Sequence, residues 1–298
     1  MNNKQKKWQL PFFCCRQKSV KKSRCFFSKM IYFYKIRHMV MLEILMSIWI
    51  AILLGVVQGL TEFLPVSSSG HLILFEKLFG ADPTQCILFD VVLHLGTLLA
   101  VVIVFWKSIV QMVKHPFGED MQKLVFATLP TIIIALVFKD FFKGTFDGGL
   151  LWLGFLVTAI FMFATDYACK HNYQYKPLTH KNAIIMGVFQ GFAILPGISR
   201  SGSTISSALV QGVRRDQSSK FSFLMSIPAI LGSLVVELFD TTKSTISIGF
   251  LPLIFGFFAS AIFGYLAIKL MLKVIKKAKF LWFGIYLVIL SAVTFFLL

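Results

Sequence analysis

"PVSSSGHLIL" (residues 65–74) interrupts one of the most apolar stretches of the chain with three serines, a glycine and a histidine. Such groups need hydrogen-bond partners wherever water is excluded. The rest of the sequence decides whether it is. Of 298 residues, 57% are hydrophobic and only 14% are charged, where a soluble domain carries about 25% charged residues. Long apolar runs recur at 88–105, 124–138, 150–168, 221–239, 248–272 and 280–298. Several reach the roughly 18–20 residues that take a helix across a bilayer. A soluble helical core cannot place that much apolar surface. The fold class expected is therefore all-α, a polytopic helical membrane protein.

The interrupted stretch has a partner. "GVVQGLTEFLPVSSSG" (55–70) aligns with "GVFQGFAILPGISRSG" (187–202) at an offset of 132 residues. Gly55, Val56, Gln58, Gly59, Ser67, Ser69 and Gly70 match Gly187, Val188, Gln190, Gly191, Ser199, Ser201 and Gly202, and Phe89 falls on Phe221. The chain reads as a duplicated unit, each copy an interrupted hairpin followed by three long helices. Repeat one covers 43–168 and repeat two 182–298, within a single membrane domain at 41–298. In each copy a short apolar arm is stopped by a proline, Pro65 or Pro196, and a Ser/Gly-rich bend starts a second arm.

Irregular backbone at membrane depth is tolerated only where protein or a wet cavity satisfies it. Paired broken segments at matching places in two halves point to a binding site, and their exposed N–H groups suit an anion. Close helix packing through small residues accounts for Gly59, Gly70, Gly191 and Ser206. It does not account for Glu62, His71 and Arg200, because ionisable groups in a membrane segment are costly. The two copies also differ. Ser68 lies opposite Arg200, Glu62 opposite Ile194, and His71 opposite Ser203. Arg200 with Ser199, Ser201, Ser203 and Thr204 suggests phosphate, which a guanidinium grips with two parallel hydrogen bonds. Glu62 would repel a bare polyanion, so it implies a divalent cation or a proton-transfer role. Ser68 and His71, three residues apart, share a face of the second arm. His71 could then take the Ser68 proton during attack on phosphorus, or water is the nucleophile and Ser68 binds phosphate. Asp90 and His94 lie on one helix face, where lining the chamber mouth and sitting at the membrane boundary are equally balanced. Gln190 mirrors Gln58 and is expected to hold the repeat interface.

"QGLTEFLPVSSSGH" and "PGISRSGST" closely resemble the two signature motifs of the undecaprenyl-diphosphatase family of the bacitracin-resistance type. The likeness runs from about residue 41 to the end of the chain. It implies an integral membrane hydrolase with an inverted-repeat helical fold, dependent on a divalent cation, Mg2+ or Ca2+. Such an enzyme removes the terminal phosphate of undecaprenyl diphosphate, recycling the lipid carrier for cell-wall synthesis and giving bacitracin resistance. Carried over residue by residue, the resemblance implies catalytic roles for Glu62, Ser68, His71 and Arg200. Substrate contacts fall to Gln58, Ser67, Ser69, Ser199, Ser201 and Thr204, and cation ligation to Glu62 and Gln58. One departure matters: Gln58 stands where the family often has Glu, so a scheme needing two carboxylates is in doubt. A transporter or flippase of an anionic isoprenoid lipid is the rival reading, since broken-helix repeats are common in transporters. The partners expected are the lipid substrate and the bilayer, with a homodimer left open and no nucleic acid.

The formal net charge of +17 is misleading on that last point. Residues 1–40 hold eleven Lys/Arg and no Asp/Glu, leaving 19 basic against 13 acidic residues in the remainder. That basic extension is either a membrane-surface arm or an upstream segment outside the mature core. Cys14, Cys15, Cys25, Cys86 and Cys169 have no metal or disulfide spacing. Basic residues in the loops at 107–123, 169–183, 214–220 and 273–279 assign those loops to the cytoplasm. The 43–78 hairpin then enters from outside and the 184–212 hairpin from inside. The halves have opposite orientations, and the bends meet near the bilayer midplane. By the resemblance, the protein lies in the bacterial inner membrane and its site opens to the outer face.

Overall fold

The computed structural model describes residues 47–81, 83–171, 175–240, 249–275 and 279–297. The basic extension at 1–40 and the loop centres at 172–174 and 276–278 lie outside the described residues. Residues Ile48–Leu298 form one compact unit; of the other unit, Met1–Ser47, only Ser47 is described. Eleven helices run through the described residues in the order α1 (Ser47–Phe63), α2 (Ser68–Leu78), α3 (Pro83–Lys114), α4 (Glu119–Val137), α5 (Lys139–Lys143), α6 (Leu151–His171), α7 (His180–Phe192), α8 (Arg200–Val210), α9 (Arg215–Asp240), α10 (Phe250–Val274) and α11 (Leu281–Leu297). The only β pairing among them is a single bridge between Lys176 and Val213.

Each apolar run of the sequence falls on one helix, α3, α4, α6, α9, α10 or α11. Five helices are long and apolar enough to cross a membrane: Cys86–Lys114, Glu119–Val137, Leu151–Lys170, Arg215–Val236 and Phe250–Lys273. The chain is a multi-pass helical membrane protein. Their outer faces expose large apolar side chains such as Ile103, Ile133, Ile160 and Ile262, as a surface in contact with lipid requires.

Both arms break ahead of the proline, two residues before Pro65 in the first and four before Pro196 in the second. Helix α1 ends at Phe63 and α7 at Phe192, and a short turn leads to the next helix start. Serine caps that start each time. Ser67 Oγ accepts from Gly70 N at 3.3 Å, and Ser199 Oγ accepts from Gly202 N at 3.0 Å. These bonds satisfy donors that a helix start leaves without partners.

The arms pack crosswise. Helix α1 lies against α10, and α7 lies against α4. Gly55 and Gly187, equivalent by the repeat, make these contacts. A Cβ on either would overlap a carbonyl oxygen, Gly256 O or Ala127 O. Helices α3 and α10, and α6 and α11, pair along their lengths. Phe63, Phe155 and Phe223 are fully buried beneath the bends, with Phe63 edge-on to Phe223 at 5.3 Å.

Candidate active site

The two bends pack directly on one another. Ser201 Oγ, at the second bend, donates to Leu64 O of the first at 2.9 Å. Thr158 on α6 ties down the second bend from behind. Its hydroxyl donates to Gly197 O at 3.0 Å and accepts from Ser199 N at 3.0 Å. Gly197 has φ 87° and lies against the Leu151–Phe155 backbone, so no larger residue fits there.

At the meeting point the buried carboxylate of Glu62 collects donors from both copies. Arg200 Nη2 donates to Oε1. Ser68 Oγ donates to Oε2, and Gln58 Nε2 donates to the same oxygen at 3.0 Å. His94 Nε2 stands 3.7 Å from Oε2. A carboxylate taken out of water needs this compensation. The helical period supplies it locally, since Gln58 and Glu62 are four apart on α1. Arg200, the first residue of α8, reaches Glu62 because the bends are in contact. Its second terminal nitrogen, Nη1, is buried and has no hydrogen-bond partner among the described residues. That nitrogen is a donor held ready for an incoming oxygen.

The residues singled out from the sequence divide into two groups. Gln58, Glu62, Ser68 and Arg200 converge on one carboxylate. Ser67, Ser69, Ser199, Ser201 and Thr204 bond within and around the bends. Ser67 and Ser199 cap helices, their hydroxyls 3.4 Å and 3.3 Å from those of Ser69 and Ser201. Thr204 Oγ1 turns to Arg200 O at 2.8 Å and to Ser222 Oγ at 2.6 Å. The hydroxyl of Ser203 is buried without a partner among the described residues.

His71 is placed differently from the shared-face expectation. Its Nδ1 is 2.7 Å from Ser67 O and its Nε2 is 2.6 Å from the Tyr286 hydroxyl. Ser68 donates to Glu62, not to His71. His94, evenly balanced between site and boundary in the sequence, faces the carboxylate. Its ring is oriented by Nδ1–H donating to Asp90 O at 2.6 Å. Tyr286 carried no local signal, because its partner lies 215 positions away.

A divalent cation has a partial ligand set here. Among the described residues no three His, Cys, Asp or Glu side chains converge to hold a metal. Glu62 is already engaged through both oxygens, and Gln58 Oε1 is buried without a partner. One carboxylate and one uncommitted amide oxygen do not build a protein cage. They do suit an ion that takes most of its ligands from phosphate oxygens and water.

The profile of the family described as "Bacitracin resistance protein BacA" matches residues 51–293. The chain is 44% identical over 245 residues to the "Undecaprenyl-diphosphatase" of Carboxydothermus hydrogenoformans, covering 81% of this chain and 94% of that protein. It is 42% identical over 248 residues to the protein of the same name from Halothermothrix orenii, covering 81% and 94%. Against "Undecaprenyl-diphosphatase 4" of Bacillus cereus it is 41% identical over 238 residues, covering 79% and 92%. With two broken-helix bends meeting at Glu62 and Arg200, and a match that spans both, the chain belongs to the BacA bacitracin-resistance protein family.

Proposed function

We infer that this protein hydrolyses undecaprenyl diphosphate to undecaprenyl phosphate and inorganic phosphate, recycling the lipid carrier of cell-wall synthesis. The observation that carries the reading is the convergence of one hydroxyl, one carboxylate and one guanidinium with a spare donor, drawn from the two bends. Phosphoryl transfer is mainly positioning and charge neutralisation, and this group supplies both. The undecaprenyl-diphosphatase names of the relatives support the substrate.

Arg200 grips the terminal phosphate through Nη1. Ser68 Oγ attacks the terminal phosphorus as its hydrogen passes to Glu62 Oε2. The bond from that phosphorus to the bridging oxygen breaks, and undecaprenyl phosphate leaves with the bridging oxygen. Water then attacks the phosphoserine. Glu62 returns its proton to Ser68 Oγ, and both hydrogens of the water leave on dihydrogen phosphate. A divalent cation, Mg2+ or Ca2+, held by Glu62 and Gln58 Oε1 together with phosphate oxygens, would neutralise charge on the diphosphate. His71 enters this scheme through its contact with the Ser67 carbonyl. The attack of water in place of Ser68 is the competing route.

The same reading extends to topology. The hairpins are re-entrant and the two halves inverted in the bacterial inner membrane, with the chamber opening to the outer face. The reciprocal packing of α1 on α10 and α7 on α4 supports the duplication, and the basic loops support the orientation. Single cysteines in a cysteine-free background should react with an impermeant thiol reagent from outside at Thr84 and not at Lys277. Labelling from outside at Lys277 overturns the orientation.

The deciding experiment is phosphate release from undecaprenyl diphosphate by the purified protein in detergent. Steady release, lost in Ser68→Ala, is expected. A folded preparation that releases none, but moves the lipid between leaflets of a vesicle, would establish the transporter reading instead.

A further inference from the structure

We propose that Tyr286 is a positioning residue: through His71 it holds the Ser67–Ser68 peptide, and so aims the Ser68 hydroxyl at Glu62. The starting point is the backbone of Ser67, with φ 69° and ψ 97°, the only non-glycine residue at positive φ among those described. A side chain makes that conformation unfavourable, and it persists only where the surroundings enforce it. The residue that follows is Ser68.

What enforces it is visible at the Ser67 carbonyl. His71 N donates to it at 3.2 Å, and the His71 ring adds a second bond from Nδ1 at 2.7 Å. A carbonyl oxygen can only accept, so Nδ1 carries the hydrogen. In the neutral ring Nε2 is then an acceptor, and the Tyr286 hydroxyl donates to it at 2.6 Å. The Ser67 carbonyl thus fixes the tautomer, and the tyrosine on α11 anchors the other end of the ring against it. Packing fixes the ring as well. Tyr286 and His71 lie nearly parallel, at 10° with centroids 5.9 Å apart, and Phe155 meets His71 edge-on at 5.7 Å. His71 is 5% exposed. The run Tyr286–His71–Ser67 thus ends one peptide bond from the hydroxyl that donates to Glu62.

The second bend lacks both the strain and the device. Ser199, equivalent to Ser67, has φ −70° and ψ 118°, an ordinary extended conformation. Ser203 takes the place of His71, and its hydroxyl is buried without a partner among the described residues. A relaxed bend needs no second bond to its carbonyl. The histidine and tyrosine therefore belong to the bend that presents Ser68.

This proposal rests on the reading of Ser68 as the reacting hydroxyl, and its test is kept separate from that reading. The full chain, purified in detergent with 15N-labelled histidine, gives the tautomer of His71 directly; His71→Asn assigns the signal. Tyr286→Phe keeps the ring and removes only the O–H. The Nε2 resonance should shift as that nitrogen loses its donor, and kcat should fall about tenfold, the equivalent of one lost hydrogen bond, with KM within about twofold. Ser67→Gly relieves the backbone, since glycine adopts positive φ freely. In that background Tyr286→Phe should cost less than about twofold. Native kcat and an unchanged His71 spectrum in Tyr286→Phe would overturn the proposal, as would an equal loss in both backgrounds. Ser68→Ala at full activity would instead overturn the reading of Ser68, whatever Tyr286 does.

Discussion

The two bends share one sequence pattern but carry different side chains where they meet. The first, between α1 and α2, is strained at Ser67, carries the only carboxylate of either motif and presents a hydroxyl to it. The second, between α7 and α8, is relaxed at Ser199 and supplies a guanidinium. At the same offset, Ser68 faces Arg200 and Glu62 faces Ile194. Neither bend alone suffices for the proposed phosphoryl transfer. The first without Arg200 is a buried anion that repels its substrate. The second without Glu62 is an anion-binding loop with no proton acceptor. The two broken helices pack on each other, and in the proposed reaction the differences at three aligned positions separate binding from chemistry.

The deepest cut into that division removes the chemistry of the first bend. Ser68→Ala and Glu62→Gln should each lower kcat on the order of 10³-fold, within the range for loss of an acid–base partner. Because the two act as a unit, the double variant should fall little further. Steady-state phosphate release checks all three, and additive losses would show that the residues act separately. The stereochemical course at a terminal phosphorus made chiral with sulfur and oxygen isotopes sharpens the result. Net retention means two displacements, through Ser68 or another protein oxygen; net inversion means one, by water.

On the second bend the comparable cut is smaller. Arg200→Lys keeps the charge and loses the planar fork that spans Glu62 Oε1 and the spare Nη1 donor. We expect a loss on the order of 10²-fold in kcat/KM, as for one preorganised transition-state donor. Full activity in the lysine variant would mean that charge without direction suffices, and that the second bend contributes only a field.

What the sequence disclosed follows the same asymmetry. Composition and six apolar runs were enough for a helical membrane fold, because period and length are local properties. The repeat exposed both bends, and the differences within it isolated Glu62, Ser68 and Arg200. Roles that depend on packing were not legible. Ser199, Ser201 and Thr204 look like phosphate ligands in a motif, yet their hydroxyls cap a helix, reach Leu64 O and bind Ser222. His71 has the spacing of a base for Ser68, but its ring bonds Ser67 O and the hydroxyl of Tyr286, which no sequence spacing connects to it. His94 could be weighed only evenly, since nothing local fixes which way α3 is rotated. The strain at Ser67 left no trace at all, because a serine in a serine run gives no hint of positive φ.

The smallest expected effect concerns two glutamines that the repeat makes equivalent. Gln58 Nε2 donates to Glu62 at 3.0 Å, whereas Gln190 Nε2 donates to a hydroxyl, Thr131 Oγ1, at 3.3 Å. Each leaves its Oε1 buried and without a partner among the described residues. Only at Gln58 does that spare oxygen sit beside a charge able to attract a cation. Gln58→Glu puts a second carboxylate beside Glu62, and two like charges so close must share a proton or recruit a cation. Magnesium resolves the conflict when present, so kcat at saturating magnesium should stay within a few-fold of native. The magnesium concentration for half-maximal activity should fall about tenfold, because ligand charge sets the affinity of such sites. Gln190→Met is the control: it gives up one hydrogen bond, about 1 kcal/mol of stability, and should leave the magnesium titration unmoved. A titration that shifts equally in both variants would place the cation away from the first bend, and one that shifts in neither would mean that the ion arrives and departs wholly on the diphosphate.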